Sequence, residues 1–266
     1  MPFFVQILFI PHNNTLETGK AHENQRIVAY YQNSGKNKIA TRAVLQLFRW
    51  VYPNASLYMH FDTNESVETR SLANEFGAGL VTYSNRLEFR SSDQKGLYFT
   101  VGAGIQFIQR LQAAASLQPD GWVMLLEDDV WTLSLVNTKS DLFYDISGMC
   151  WLTFDKEHSR IIRTHAFPRQ VYMNATCYGA NGGSFINSSR LLGLNTSNQD
   201  LLAFMRHMTA RGGDIASDLL LSSVILWDGG AVGPYHGFYD FVVVGHGLPK
   251  TVHHMKLLYV LRHVYG

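Results

Sequence analysis

The sequence predicts an α/β fold: a mostly parallel, Rossmann-type sheet flanked by helices, with a more irregular second half. Three observations carry this prediction. Apolar strand-like runs alternate with helical periodicity through the first 133 residues. The run GWVMLL at 121–126 is almost wholly apolar, as a strand covered on both faces must be. The chain is 46% hydrophobic and 16% charged, which allows a sizeable core and argues against disorder. Its 266 residues read as one domain, 1–266, divided into a regular half, 1–133, and a looser half, 134–266.

The elements follow in order. PFFVQILFIP, at 2–11, reads as an opening strand ended by Pro11. Residues 21–50 read as helical, with Ile27, Ala29, Tyr30 and then Ile39, Ala40, Val44, Leu45 and Phe48 at three- and four-residue spacings, and NSGKNK dividing the stretch in two. ASLYMHF is a second strand that delivers Asp62 at its carboxyl end. SVETRSLANEF is a helix with Gly77 as its stop, and GLVTYS is a third strand. The stretch 95–117, KGLYFTVGAGIQFIQRLQAAASL, reads as one long helix, apolar at Leu97, Val101, Ile105, Ile108 and Leu111. GWVMLL is the fourth strand. Beyond residue 133, MCWLTF, RQVYMN and GGSFIN are short strands; SSRLLGL, TSNQDLLAFMRHMTA and SDLLLSSVILWDG are helices; FYDFVVVGHG and TVHHMKLLYV are late strands.

Charge and composition exclude some functions. A net charge of +1, from 22 basic and 21 acidic side chains, gives no basic surface for nucleic acid. Phe3 to Ile10 is too short to span a bilayer and lacks a basic leader, so the protein is expected to be cytoplasmic, and a bacterial or viral origin fits that expectation. Six N-x-S/T matches, at Asn13, Asn54, Asn64, Asn174, Asn187 and Asn195, are then a product of composition. Cys150 and Cys177 read as buried thiols.

The chemistry concentrates where GWVMLL ends, in Glu127, Asp128 and Asp129. Adjacent carboxylates repel and are costly to desolvate, so three of them leaving a buried strand call for a positive partner. A hard divalent cation, Mn2+ or Mg2+, prefers oxygen ligands and is commonly held by one or two carboxylates plus substrate phosphates. Strand alternation would set Glu127 and Asp129 on one face as metal ligands, with Asp128 opposite them and meeting a nucleotide ribose or a nearby cation. The alternative is an acidic helix cap. Ligands of such sheets bind beyond the carboxyl ends of the strands, which is where Asp62 and the acidic run both fall.

A strand ending in LLEDDV after three β-α units resembles the metal-binding acidic motif (DxD type) of the GT-A-fold glycosyltransferases, and the EDD form is similar to that of the lipopolysaccharide and collagen glycosyltransferases and of the N-acetylglucosaminyltransferase IV family. LPKTVHHM, at 248–255, resembles a P-S-L-x-Q-H-I-G segment of the last family and sets His254 on the family's histidine. Met255 and Lys256 depart from that pattern, which leaves His246, His253 and His254 open as the late metal ligand. The resemblance implies a GT-A-like fold whose 1–133 half binds a nucleotide-sugar, a UDP-sugar by preference, and whose 134–266 half binds a glycan acceptor. It places Pro11, His12 and Asp62 beside the nucleoside. Among Arg70, Arg86, Arg90 and Lys95, it favours Lys95 as the cation on the diphosphate.

In the second half, CYGANGGSFIN combines Tyr178, Asn181, Gly182, Gly183 and Ser184. Its small residues allow close approach to a ligand, and its amide and hydroxyl suit sugar hydroxyls, although a plain hairpin turn would use the same residues. Trp131, Trp151 and Tyr178 suit stacking on a sugar ring. An inverting transfer needs a base; GGDIASDLLLSS supplies Asp218 first and Asp214 second, while the alternative is capping, with Asp214 or Ser217 simply starting the helix that follows. Retaining transfer stays open. Among rivals, a sugar-nucleotidyltransferase lacks its glycine-rich loop here, a metal hydrolase lacks early His-x-His or Asp-x-His pairs, and a retaining glycosidase needs carboxyls about 5 Å apart. A non-catalytic sugar-binding module requires that Asp129 and Asp218 be dispensable.

Overall fold

The computed structural model describes residues 26–33, 38–84, 89–91, 97–128, 130–132, 134–148, 156–165, 180–210, 215–235 and 244–245. In chain order the elements are β1 (Ile27–Asn33), α1 (Lys38–Val51), β2 (Ser56–Phe61), α2 (Val67–Glu75), β3 (Leu80–Tyr83), β4 (Phe89–Ser91), β5 (Leu97–Phe99), α3 (Val101–Ser116) and β6 (Trp122–Leu126). There follow β7 (Trp131–Thr132), β8 (Ile146–Gly148), α4 (Lys156–His165), β9 (Phe185–Asn187), α5 (Ser188–Gly193), α6 (Gln199–Ala210), β10 (Ile215–Ala216), α7 (Ser217–Trp227), β11 (Val232–Pro234) and β12 (Val244–Gly245).

Among the described residues the main sheet has seven strands in the order β11-β8-β9-β6-β1-β2-β3. β6, β1, β2 and β3 run parallel, and β8 and β11 are parallel to each other. β9 lies antiparallel between β6 and β8. A mostly parallel sheet is therefore confirmed, with one reversed strand near its middle. Two smaller sheets accompany it, β10-β5-β4 and β12-β7.

Strand alternation sorts the core into two layers. Val28, Tyr30, Val123 and Leu125 face a layer closed by α3, α6 and α7 through Phe107, Leu111, Phe204 and Leu220. Ile27, Ala29, Tyr31, Met124 and Leu126 face the other layer, closed by α1 and α2 through Val44, Phe48 and Leu72. Helices on both faces explain why the central strands carry continuous apolar runs.

Two readings of the sequence change. Residues 27–33 form the central strand β1, not the first half of a helix. IVAYY is apolar at every position, so it matches helical spacing and strand alternation equally; burial on both faces decides for the strand. The expected helix at 95–117 is shorter. Leu97–Phe99 forms β5, and Thr100 starts α3 by accepting the Ala103 amide at its hydroxyl. The helix at 66–76 fares better: Ser66 and Thr69 make a reciprocal capping box, and Gly77 ends it at φ 61°. α4, with Ile161 and Ile162 in the core, was not foreseen from the sequence. The expected strands at 2–11, MCWLTF, RQVYMN and TVHHMKLLYV lie outside the described residues, as do Cys150 and Cys177.

Candidate functional site

The register of three strands aligns the carboxyl edge of the sheet. Leu126 pairs with Tyr31, and Gln32 and Asn33 pair with His60 and Phe61. Glu127 therefore leaves β6 beside the end of β1, and Asp62 leaves β2 on the far side of it. β1 ends at Gln32 and Asn33, and Pro11 and His12, expected at the end of an earlier strand, lie outside the described residues.

Glu127 and Asp128 leave β6 at a turn. The Val130 amide donates to the Glu127 carbonyl at 3.2 Å, so the chain bends between β6 and β7. Strand alternation stops at Leu126, and the division of the three acids between two faces does not follow from it. No helix succeeds them directly, which also removes the helix-cap alternative. Glu127 and Asp128 are half-buried. Asp129 lies outside the described residues, as does His254.

Asp62 is 4% exposed and set in a polar network. Gln32 Nε2 donates to its Oδ2 at 3.3 Å. His60, 1% exposed, has Nε2 at 3.3 Å from Asp62 Oδ1 and 3.2 Å from Ser84 Oγ. Its Nδ1 lies 2.8 Å from Thr82 Oγ1, which is 2.7 Å from the Tyr58 hydroxyl. The contact of Asp62 Oδ1 with His60 lacks hydrogen-bond alignment, and among the described residues this buried oxygen has no hydrogen-bond partner. Burial pushes the Tyr58 phenol above its usual value, with the Thr82 hydrogen bond and Arg110 partly offsetting it, so the phenol keeps its proton. Gln32, His60, Thr82 and Ser84 were missed from the sequence. Only strand pairing brings them together, although a histidine two residues before the strand-ending aspartate was a visible signal.

On the other flank of β6, the Gly183 amide donates to the Leu125 carbonyl at 2.7 Å and the Leu125 amide to the Ser184 carbonyl at 2.9 Å. These bonds lay Asn181–Ser184 along the last residues of β6, next to the acidic turn. The Ser184 amide donates to the Asn181 carbonyl at 3.0 Å, and Gly183, at φ 87°, holds the third position of this turn in the left-handed region. The segment is therefore a turn, and this turn lies beside the end of β6. Asn181 is 5% exposed, and among the described residues its Oδ1 has no hydrogen-bond partner.

Asp218 lies in the first turn of α7, half-buried, and its Oδ1 accepts the Leu219 amide at 2.8 Å. Four residues on, the Ser222 hydroxyl accepts the Ala180 amide at 3.3 Å. Residues four apart share a helix face, so the face that carries Asp218 abuts the start of the Asn181 turn. Ser222, fully buried, is a second residue the sequence did not reveal. Trp131 does not offer a free stacking face: it is 7% exposed and packs on Ala43 and Leu47 of α1. Asp214, Tyr178 and Lys95 lie outside the described residues, and the helix expected to begin beside Lys95 begins at Val101.

Among the described residues no group of three or more His, Cys, Asp or Glu side chains forms a metal cluster. Glu127 and Asp128 nonetheless supply half-buried carboxylate oxygens at one turn, the donor chemistry that a hard cation shared with phosphate oxygens takes. Among the described residues no helix is long and apolar enough to cross a membrane.

No family model matches the chain, and no curated protein matches it by sequence. Solved structures do. Galactosyltransferase LgtC, in complex with donor and acceptor sugar analogues, matches with a TM-score of 0.53 at 12% identity, over 84% of this chain and 87% of that one. An active-site mutant of LgtC matches with a TM-score of 0.55 at 13% identity, over 89% of this chain and 95% of that one. The chain thus has the fold of GT-A-type glycosyltransferases.

Proposed function

We propose that this protein is a metal-dependent glycosyltransferase that moves a sugar from a nucleotide-sugar, a UDP-sugar by preference, to a hydroxyl of a glycan acceptor. The observation that carries the reading is the acidic turn at the carboxyl end of β6, flanked by Asp62 on one side and Asn181–Ser184 on the other, in a fold shared with a galactosyltransferase. Each flank has a buried oxygen acceptor without a hydrogen-bond partner among the described residues, Asp62 Oδ1 and Asn181 Oδ1. Buried polar atoms are normally satisfied, so two orphans beside one acidic turn suit a hydroxyl-rich ligand.

In this reading Glu127, Asp129 and His254 hold the cation, Mn2+ or Mg2+, with Asp128 turned to the donor. When bound, such an ion offsets the charge of a departing nucleoside diphosphate. Asp62 accepts a hydrogen bond from the nucleoside. Asn181 and Ser184 orient the sugars, and the glycine turn lets them approach the backbone. Asp218, or Asp214, takes the proton of the attacking acceptor hydroxyl in an inverting displacement. The Leu219 amide on Asp218 Oδ1 fixes that carboxylate at the helix start.

Calorimetry with UDP and manganese tests the proposal. Manganese-dependent binding that Asp129→Ala abolishes is expected; absence of such binding, or binding unchanged in the variant, sinks it.

A further inference from the structure

We propose that His60 is a positioning residue for the nucleotide: its Nε2 carries a proton and, with Gln32, it fixes the Asp62 carboxylate so that Oδ1 faces a hydrogen-bond donor of the nucleoside. The inference rests on the reading of the protein as a nucleotide-sugar transferase, and it assigns a role to a buried side chain that no substrate atom needs to touch.

The geometry orders the protons. Nε2 lies 3.3 Å from Asp62 Oδ1 and 3.2 Å from Ser84 Oγ. An unprotonated Nε2 would set its lone pair against a carboxylate oxygen in a site 1% exposed, an arrangement that burial makes costly. With the proton on Nε2, the ring donates to Ser84 Oγ and presents its positive edge to Oδ1. On the far side of the ring, Thr82 Oγ1 lies within hydrogen-bond distance of both Nδ1 and the Tyr58 hydroxyl. The imidazole is thereby held at Nδ1 by Thr82 of β3 and at Nε2 by Ser84, the residue after β3. It cannot turn without breaking both of these part-buried hydrogen bonds. Gln32 fixes the other carboxylate oxygen at 3.3 Å. Beyond its electrostatic contact with His60, Oδ1 has no hydrogen-bond partner among the described residues and is left as a preset acceptor.

Two side chains separate the nitrogens. A glutamine amide reaches the place of Nε2, and an asparagine amide reaches only that of Nδ1. His60→Gln is expected to keep UDP affinity within about threefold, and His60→Asn to lose about tenfold, as the loss of one hydrogen bond to a charged group implies. Binding is measured by calorimetry below the melting midpoint of each variant. Equal affinity in His60→Asn and the parent protein overturns the proposal, as does an equal loss in both variants. Nitrogen-15 spectra of the imidazole in the unsubstituted protein give a readout that needs no nucleotide. A proton on Nε2 is expected, and a ring protonated on Nδ1 alone overturns the inference. If the unsubstituted protein binds no UDP, the transferase reading falls, while the imidazole spectrum still decides where the proton of His60 lies.

Discussion

The two flanks of β6 supply the site in opposite ways. On the β1 side the strands are parallel, and residues at their carboxyl ends converge: Gln32, Asp62 and, through β3, Ser84. On the β9 side the neighbour is reversed, so the residues that reach the same edge are those that precede a strand, Asn181 to Ser184. The first flank is a buried network in which side chains fix one another. The second is a backbone turn steadied by a glycine and by Ser222 of α7. A parallel sheet gathers function from strand ends, and one reversed strand lets it recruit a strand beginning. This division suits a donor held by a fixed pocket and an acceptor met by an adaptable one.

The largest expected effect tests the β9 flank. Asp218→Asn should lower turnover by on the order of 100- to 10,000-fold with UDP affinity unchanged; near-normal turnover removes Asp218 as the base. The next tests the β1 flank. Asp62→Asn should weaken UDP binding by about ten- to a hundredfold, the loss of a hydrogen bond to a charged acceptor, and calorimetry that shows no change would make the two flanks equivalent. Gly183→Ala forces a Cβ into a left-handed turn and should cost about 1–2 kcal/mol. Its signature is a higher KM for the acceptor with donor affinity intact, and a donor effect of the same size would erase the distinction between flanks. The smallest effect belongs far from both. Arg42 and Glu75 form an exposed ion pair at 3.1 Å, and Arg42→Ala should change stability by at most about 1 kcal/mol and leave activity untouched.

Much of the sheet was legible because its interior strands are apolar throughout and its helices are periodic. The same feature misled at residues 27–33, since IVAYY fits every period; only the pairing with β2 and β6 identifies it. Asp62 and the acidic run could be found because the rule about strand ends needs only strand order. The His60 network could not, because it depends on the register between β2 and β3 and on which face each residue presents. Trp131 shows the reverse error: an aromatic beside a candidate motif suggested a sugar platform, but its surface is spent on α1. Strand alternation does not reach the acids, since the hydrogen bond from the Val130 amide to the Glu127 carbonyl turns the chain where β6 ends, and Asp129 lies outside the described residues.

The reversed strand also has a consequence during synthesis. β6 emerges with β1 already available on one side, but the partner for its other side, β9, is made much later. At about 5–20 residues per second, the stretch from Leu126 to Phe185 takes on the order of 3–12 s to translate. For that time Val123 and Met124, which later pair with Ile186 and Phe185, form an apolar open edge, the kind of edge on which chains associate. A chain stopped after residue 133 should therefore aggregate, and the nascent protein should depend on a chaperone until β9 closes the sheet.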